Sequence, residues 1–229
     1  MPVRLASLDI AGTTLDEGGR VYAILRDAIE QATGTTVSDE LLSAWSGTDK
    51  REAMVGILTG LGEDPARADG IFPDFAAALD ASYAASPATV LPGVADAIAA
   101  LRAAGVLVAL QTGYRRAVAE PLLDGVGWRV GEHIDALVTA DDVPASRPAP
   151  YLVFRTMEAT GVRDVAEVLT AGDTANDVLA GSNAGARYAI GVLTGAHTAV
   201  ELGAARHTHL LPSVADVPAL LRRDGALPG

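Results

Sequence analysis

Five short apolar runs restrict the fold of this chain more than any other feature: VRLASLD (3–9), VLVALQT (106–112), DALVTA (135–140), EVLTAGD (167–173) and RYAIGVL (187–193). Strands of that kind have no face to give to water, so they belong in a parallel sheet covered on both sides. Helical patterns lie between most of them: GVADAIAALRAAG (93–105), RRAVAEPLLDGVG (115–127), APYLVFRTMEATG (149–161) and NDVLAGSNAG (176–185). Each stops at Gly, a common helix terminator. The alternation predicts a doubly wound α/β structure. A chain of 229 residues, 49% of them apolar, is long enough to bury such a core.

One stretch breaks the alternation. Residues 20 to about 87 (RVYAILRDAIEQATG, SDELLSAWSG, KREAMVGILTGLG, DGIFPDFAAALDASYAAS) have helical spacing and no good strand. They predict a helical insert, 19–87, in a core made of 1–18 and 88–229. The linkers LDEGG (15–19) and SPATVLPG (86–93) are rich in Gly and Pro and read as hinges. The stripe in VYAILRDAI (21–29) suits either the insert's own core or a contact with a second copy.

Polar clusters follow four of the predicted strands: DIAGTT, TGYRR, ADDVPASRPAP and GDTAND. In parallel α/β sheets ligands bind beyond the carboxyl ends of the strands. Asp9, with a tight turn at Gly12 and Thr13 behind it, can present one oxygen to a cation and another to phosphorus, while turn amides hold phosphate oxygens. Asp173 and Asp177 face one opening if a helix starts between them, and paired carboxylates suit a hard cation. Thr112, Gly113 and Tyr114 bring a hydroxyl and amides to a helix start, a phosphate site. Arg147, before Pro148 as a favoured first helical residue, can offset charge among Asp9, Asp173 and phosphate. Each residue alone also reads as ordinary structure: Asp9 as a turn cap, Asp173 and Thr112 as helix caps, Arg147 as a surface charge. Four such endings on one rim are harder to ascribe to turns. His207 and His209 alternate but lack a third ligand, and Arg222 and Arg223 read as a solvated helix end.

The net charge of −12 disfavours a nucleic-acid groove or an anionic membrane as partner. No cysteine is present, which excludes disulfides and thiol chemistry. The start, MPVRLASLDIAGTT, lacks a secretory pattern, so a soluble cytoplasmic protein is expected. Of the 17 Lys and Arg, Lys50 alone is lysine, in SGTDKREAM (46–54). A lysine can lose its proton and attack a carbonyl, which an arginine cannot do. It must first be neutral. Burial and positive neighbours, with Mg²⁺ and Arg51 as candidates, would favour that form; Asp49 and Glu52 would oppose it.

The order Asp9, Thr112, Arg147, Asp173 and Asp177 resembles the haloacid dehalogenase superfamily, and the resemblance covers nearly the whole chain. It implies a Rossmann-like core with a helical cap inserted after the first strand, and a Mg²⁺ site at Asp9, Ala11 and Asp173 with Asp177 behind. Most members carry D-x-D in the first motif, the second Asp protonating the leaving alkoxide. Here that position is Ala11, and the usual third-motif lysine is Arg147. Both departures resemble the phosphonatase (phosphonoacetaldehyde hydrolase) branch, as do DIAGTTLDEG, TGYRR, VPASRPAPY and GDTANDVLAGSNAG. That branch also has G-x-x-K in its cap, matched by Gly47-Thr48-Asp49-Lys50. Its usual Met before this Gly and His three residues after the Lys are Ser46 and Ala53 here. The resemblance implies hydrolysis of a carbon–phosphorus bond: Lys50 forms a Schiff base, Asp9 attacks phosphorus, and Thr112, Arg147 and loop amides at Gly12, Thr13 and Gly113 hold the phosphoryl oxygens. Tyr114 would orient the imine. The implied partner is a small phosphonate, and the branch often dimerises through its cap. A phosphate-ester phosphatase or phosphomutase and a non-catalytic phosphate-binding protein are the alternatives.

Overall fold

A computed structural model describes residues 1–227. The chain opens with β1 (Leu5–Asp9), all five residues buried, and a two-residue strand β2 (Leu15–Asp16). Four helices follow: α1 (Arg20–Thr33), α2 (Asp39–Ala44), α3 (Lys50–Gly60) and α4 (Ala68–Ala85). The second short strand, β3 (Thr89–Val90), leads into α5 (Val94–Ala103), β4 (Leu107–Gln111), α6 (Arg116–Gly125) and β5 (Ala136–Val138). Then come α7 (Tyr151–Thr160), β6 (Val168–Gly172), α8 (Ala175–Ala184), β7 (Tyr188–Val192), α9 (Ala199–Ala204), β8 (His209–Leu211) and α10 (Val217–Arg223).

Six strands form one parallel sheet in the order β5-β4-β1-β6-β7-β8. The five expected strands are all present. From β1 the chain first builds outward through β4 and β5, then returns to place β6, β7 and β8 on the other side. The order therefore reverses at β1, and the crevice for a ligand opens at its carboxyl end. β8 was not expected: HLL is three residues long and precedes a proline, too short for a pattern to register. The helix α9 also lies beyond the expected pattern. Residues 228 and 229 of the expected core lie outside the described residues.

The break in alternation falls on the four helices between β2 and β3. Leu15 and Asp16 pair antiparallel with Val90 and Thr89, so the two Gly- and Pro-rich linkers are zipped into one ribbon. Arg20 reinforces the junction: it donates to Glu17 O in the first linker and to Ser82 O and Ser86 O at the end of α4. Val21, Leu25 and Ile29 are buried within the chain, so that stripe of α1 packs internally. Among the described residues no helix is long and apolar enough to cross a membrane. His207 bonds to Ala205 O and His209 lies against the Tyr188 ring at 5.6 Å; among the described residues neither belongs to a group of three metal-ligand side chains. Arg222 and Arg223 are exposed at the end of α10.

Candidate active site

The carboxyl ends of β1 and β6 and the loop after β5 carry the charged residues expected there. Asp9 closes β1 and is 4% exposed. Arg147 Nη2 lies 2.7 Å from its Oδ1, and Nη1 lies 2.8 Å from Asp177 Oδ1. The same guanidinium donates to Gly47 O (2.9 Å) and Gln111 O (3.0 Å), tying the sheet rim to the segment before α3. Arg147 is thus no surface charge. The helix expected from Pro148 begins only at Tyr151, because Ala149 N–H bonds back to Ser146 O and makes a turn there. The Arg147–Pro148 peptide bond is cis. Replacing Arg147 with Met leaves two buried carboxylates uncompensated and is expected to cost about 3–5 kcal/mol, read as a lowered denaturation midpoint in chelator.

Asp173 follows β6, and Thr174 caps α8 in a capping box with Asp177. The cap is Thr174 and not Asp173, and Asp177 serves both cap and site: it accepts from Thr174 N–H and hydroxyl on one oxygen and meets Arg147 with the other. Asp173 Oδ2 accepts from Ala196 N–H at 2.7 Å, and Oδ1 from the Thr13 hydroxyl at 3.2 Å. That engages Thr13 with a carboxylate in this conformation. Gly12, at φ +72°, runs so close that a Cβ there would lie 2.6 Å from Asp173 Oδ2. Burial pushes Asp9 up to about 7 against the pull of Arg147, and raises Asp173 well above the carboxylate range, with Asp9 and Asp177 adding to it.

Asp9, Asp173 and Asp177 can each bring one oxygen within 4.8 Å of the others, all buried. One guanidinium cannot neutralise three carboxylates in such a place, so the donor set fits a hard cation. Ala11 lines the same cavity and, lacking a polar side chain, can contribute only backbone oxygen.

Thr112 accepts from Tyr114 N–H at 3.0 Å, which leaves its own hydroxyl proton to donate. A Cβ on Gly113 would sit 2.5 Å from Thr48 O, so only glycine permits this approach of the segment before α3. Lys50 comes in with that segment. It is the first residue of α3, whose start is capped by the Asp49 carboxylate accepting from Arg51 and Glu52 N–H. It is 6% exposed, donates to Thr48 O at 2.7 Å, and lies 5.2 and 5.4 Å from the ring centroids of Tyr22 and Tyr114. Burial brings the amine down to about 8; Asp49 is the strongest opposing charge, and Arg147 assists the shift. The positive end of α3 disfavours an ammonium as well. Arg51, expected as the positive neighbour, instead turns outward to Asp69. Glu52 turns to the backbone N–H of Ser146.

All of Asp9, Ala11, Lys50, Thr112, Gly113, Tyr114, Arg147 and Asp173 line one cavity of about 20 Å³. Sequence reasoning missed the residues that shape and close it. Tyr22 accepts Gly47 N–H at 2.9 Å, and Tyr83 meets the Tyr114 hydroxyl at 2.8 Å. Ser146 accepts Asp49 N–H, while Asn176 donates to Ala44 O and Ser46 O. None of these carries a sequence signal, because each acts through a contact more than twenty residues away.

This constellation on this sheet defines a class, and the chain belongs to it: the haloacid dehalogenase-like hydrolase family matches residues 3–185. The protein is an enzyme of that family. A phosphonoacetaldehyde hydrolase of Bacillus cereus is 31% identical over 208 residues, covering 85% of this chain and 77% of that protein. Another, of Parabacteroides distasonis, is 36% identical over 109 residues, 48% of this chain and 40% of that protein, so the matched region spans less than half of it. The solved structure of a phosphonoacetaldehyde hydrolase like protein from Oleispira antarctica aligns with a TM-score of 0.83 over 97% of this chain and 92% of that one; at 22% identity it bears on the fold.

Proposed function

We propose that this protein is a Mg²⁺-dependent hydrolase that cleaves the carbon–phosphorus bond of a small 2-oxoalkylphosphonate, releasing phosphate and an aldehyde or ketone. One observation carries the reading. The lone lysine is buried, shifted toward neutrality and held in the same cavity as Asp9 and Asp173, while Ala11 stands where an ester-cleaving relative would place an acid. Breaking a P–C bond leaves an electron pair on carbon. A carboxylic acid does little for that pair, whereas an iminium two atoms from phosphorus accepts it.

Neutral Lys50 Nζ adds to the substrate carbonyl and loses water, giving an iminium. Asp9 attacks phosphorus as the P–C bond breaks, and the electron pair moves into the iminium to form an enamine. The enamine takes a proton on carbon, and water then releases the product and restores Lys50. A second water hydrolyses the aspartyl phosphate. Arg147, the Thr112 hydroxyl and the Gly113 amide serve the phosphoryl oxygens; the amides expected at Gly12 and Thr13 do not, because they donate to Leu15 O and Ile10 O within the turn. Mg²⁺ held by Asp9 and Asp173, with Asp177 behind, would offset charge on those oxygens. Residues 19–87 serve as a cap. A cavity of about 20 Å³ holds roughly one water, so the cap must open to admit substrate.

Incubation with phosphonoacetaldehyde, Mg²⁺ and borohydride is expected to leave one reduced adduct on Lys50, seen by mass after peptide mapping. Only the deprotonated amine attacks, so trapping speeds up as pH rises and levels off above about 8. No adduct, together with ester turnover that survives Lys50→Arg, would overturn the reading.

A further inference from the structure

Tyr22 stands between Lys50 and a much larger space. The cavity of about 20 Å³ around the amine and an open cleft of about 780 Å³ lie on either side of it, and among the described residues Tyr22 alone lines both. The cleft runs between the first two helices and the sheet rim, past Arg26, Ser43, Asn176, His197 and Glu201. The other ring beside Lys50 is backed differently. Tyr114 is buried and its hydroxyl meets that of Tyr83, so a second side chain stands behind it before the next cleft. Of the two rings beside Lys50, Tyr22 alone borders the next cleft itself.

Substrate geometry gives that wall a consequence. With phosphorus at Asp9 and the carbonyl carbon at Nζ, any substituent on the carbonyl must leave the cavity on the lysine side. There it meets the Tyr22 ring at 5.2 Å or the Tyr114 ring at 5.4 Å from Nζ. Tyr22 is also pinned, its hydroxyl accepting Gly47 N–H, so it cannot swing aside without releasing that segment. Ser46, which borders the cleft, is too small to close off this space itself.

We propose that Tyr22 is the specificity-determining residue on the carbonyl side, confining the enzyme to 2-oxoalkylphosphonates whose carbonyl bears hydrogen or a methyl and shutting off a cleft that would hold a larger group. The assignment rests on the reading of Lys50 as the carbonyl-binding residue. Three variants separate its parts: Tyr22→Phe keeps the wall and drops the hydroxyl, Tyr22→Leu thins the wall while retaining an apolar filling, and Tyr22→Ala removes it. The measurement is the ratio of kcat/KM for 2-oxo-2-phenylethylphosphonate over that for phosphonoacetaldehyde. A purely structural defect lowers both rates and leaves the ratio alone. The ratio is expected to rise about 100-fold in Tyr22→Ala, by less in Tyr22→Leu, and to stay within about threefold in Tyr22→Phe. A second readout needs no turnover: pyridoxal 5′-phosphate with borohydride should label Lys50 in Tyr22→Ala and spare it in wild type and Tyr22→Phe. A ratio unchanged in both Ala and Leu variants, or equal labelling of wild type and Tyr22→Ala, overturns the role of Tyr22. Labelling that follows Tyr22 in a protein that turns over neither phosphonate instead overturns the proposed reaction.

Discussion

Asp9→Asn is expected to lower phosphonate turnover by about 10⁴-fold or more, yet to leave the borohydride-trapped adduct on Lys50 in place. The two halves of the proposed reaction use different atoms. Imine formation needs only the neutral amine and a carbonyl, and Lys50 reaches the cavity from α3 on the helical segment. Attack on phosphorus needs a carboxylate, which Asn cannot supply. Asn keeps the size of Asp9 and one oxygen for Arg147, whose pairs to Gly47 O and Gln111 O are untouched, so the seat of the segment carrying Lys50 should survive. The checks are steady-state phosphate release and the mass of the reduced adduct on the same preparation. Retention of more than a tenth of wild-type turnover would remove Asp9 from the nucleophile's role. Loss of the adduct along with turnover would show that the substitution disturbs the lysine too, and the two-step scheme would lose its main support.

The sheet rim was legible because strand ends are legible. Five apolar runs fixed where β1, β4 and β6 stop, and the polar residues just beyond them had to converge if the strands were parallel. Asp9, Asp173 and Asp177 therefore came out together, joined by Arg147 from the longer loop after β5. The competing reading of Asp173 as a helix cap fails by one residue: Thr174 caps α8, and Asp177 gives one oxygen to that cap and the other to Arg147. What stayed hidden depends on distant contacts. Tyr22 belongs to a helical stripe, where an aromatic reads as packing, and only the folded chain reveals that its hydroxyl and ring serve Gly47 and Lys50. Arg51 was expected as the positive neighbour of Lys50 where Arg147 takes that place, because the choice depends on which way α3 turns. The pairing of the linkers involves two residues on each side, below the length at which alternation means anything. It also changes their character: a ribbon tied by Arg20 resists twisting more than two free hinges would, so the proposed opening of residues 19–87 should pivot about it.

Lys50→Arg and Lys50→Met test the link between the lone lysine and the missing acid. Arg keeps a cation able to donate to Thr48 O; Met keeps the approximate length without charge. Neither forms an imine. If the lysine worked as a fixed charge for phosphate, Arg would retain much of the activity. If it is the electron sink, both variants should lose carbon–phosphorus cleavage by about 10⁴-fold or more, Arg as completely as Met. Inorganic phosphate should bind within about threefold of wild type in the Met variant, because the groups proposed to hold the anion, Arg147, the Thr112 hydroxyl and the Gly113 amide, are left in place. Adding Ala11→Asp to the Met variant puts back the acid that ester-cleaving relatives use. It should raise hydrolysis of a simple phosphate ester and return nothing of phosphonate cleavage, since a proton donor near a departing oxygen has no counterpart near a departing carbon. Recovery of phosphonate turnover in that double variant would break the argument at its root: it would mean that an acid can replace the iminium, and that the chemical reason for keeping a single lysine beside Ala11 is wrong.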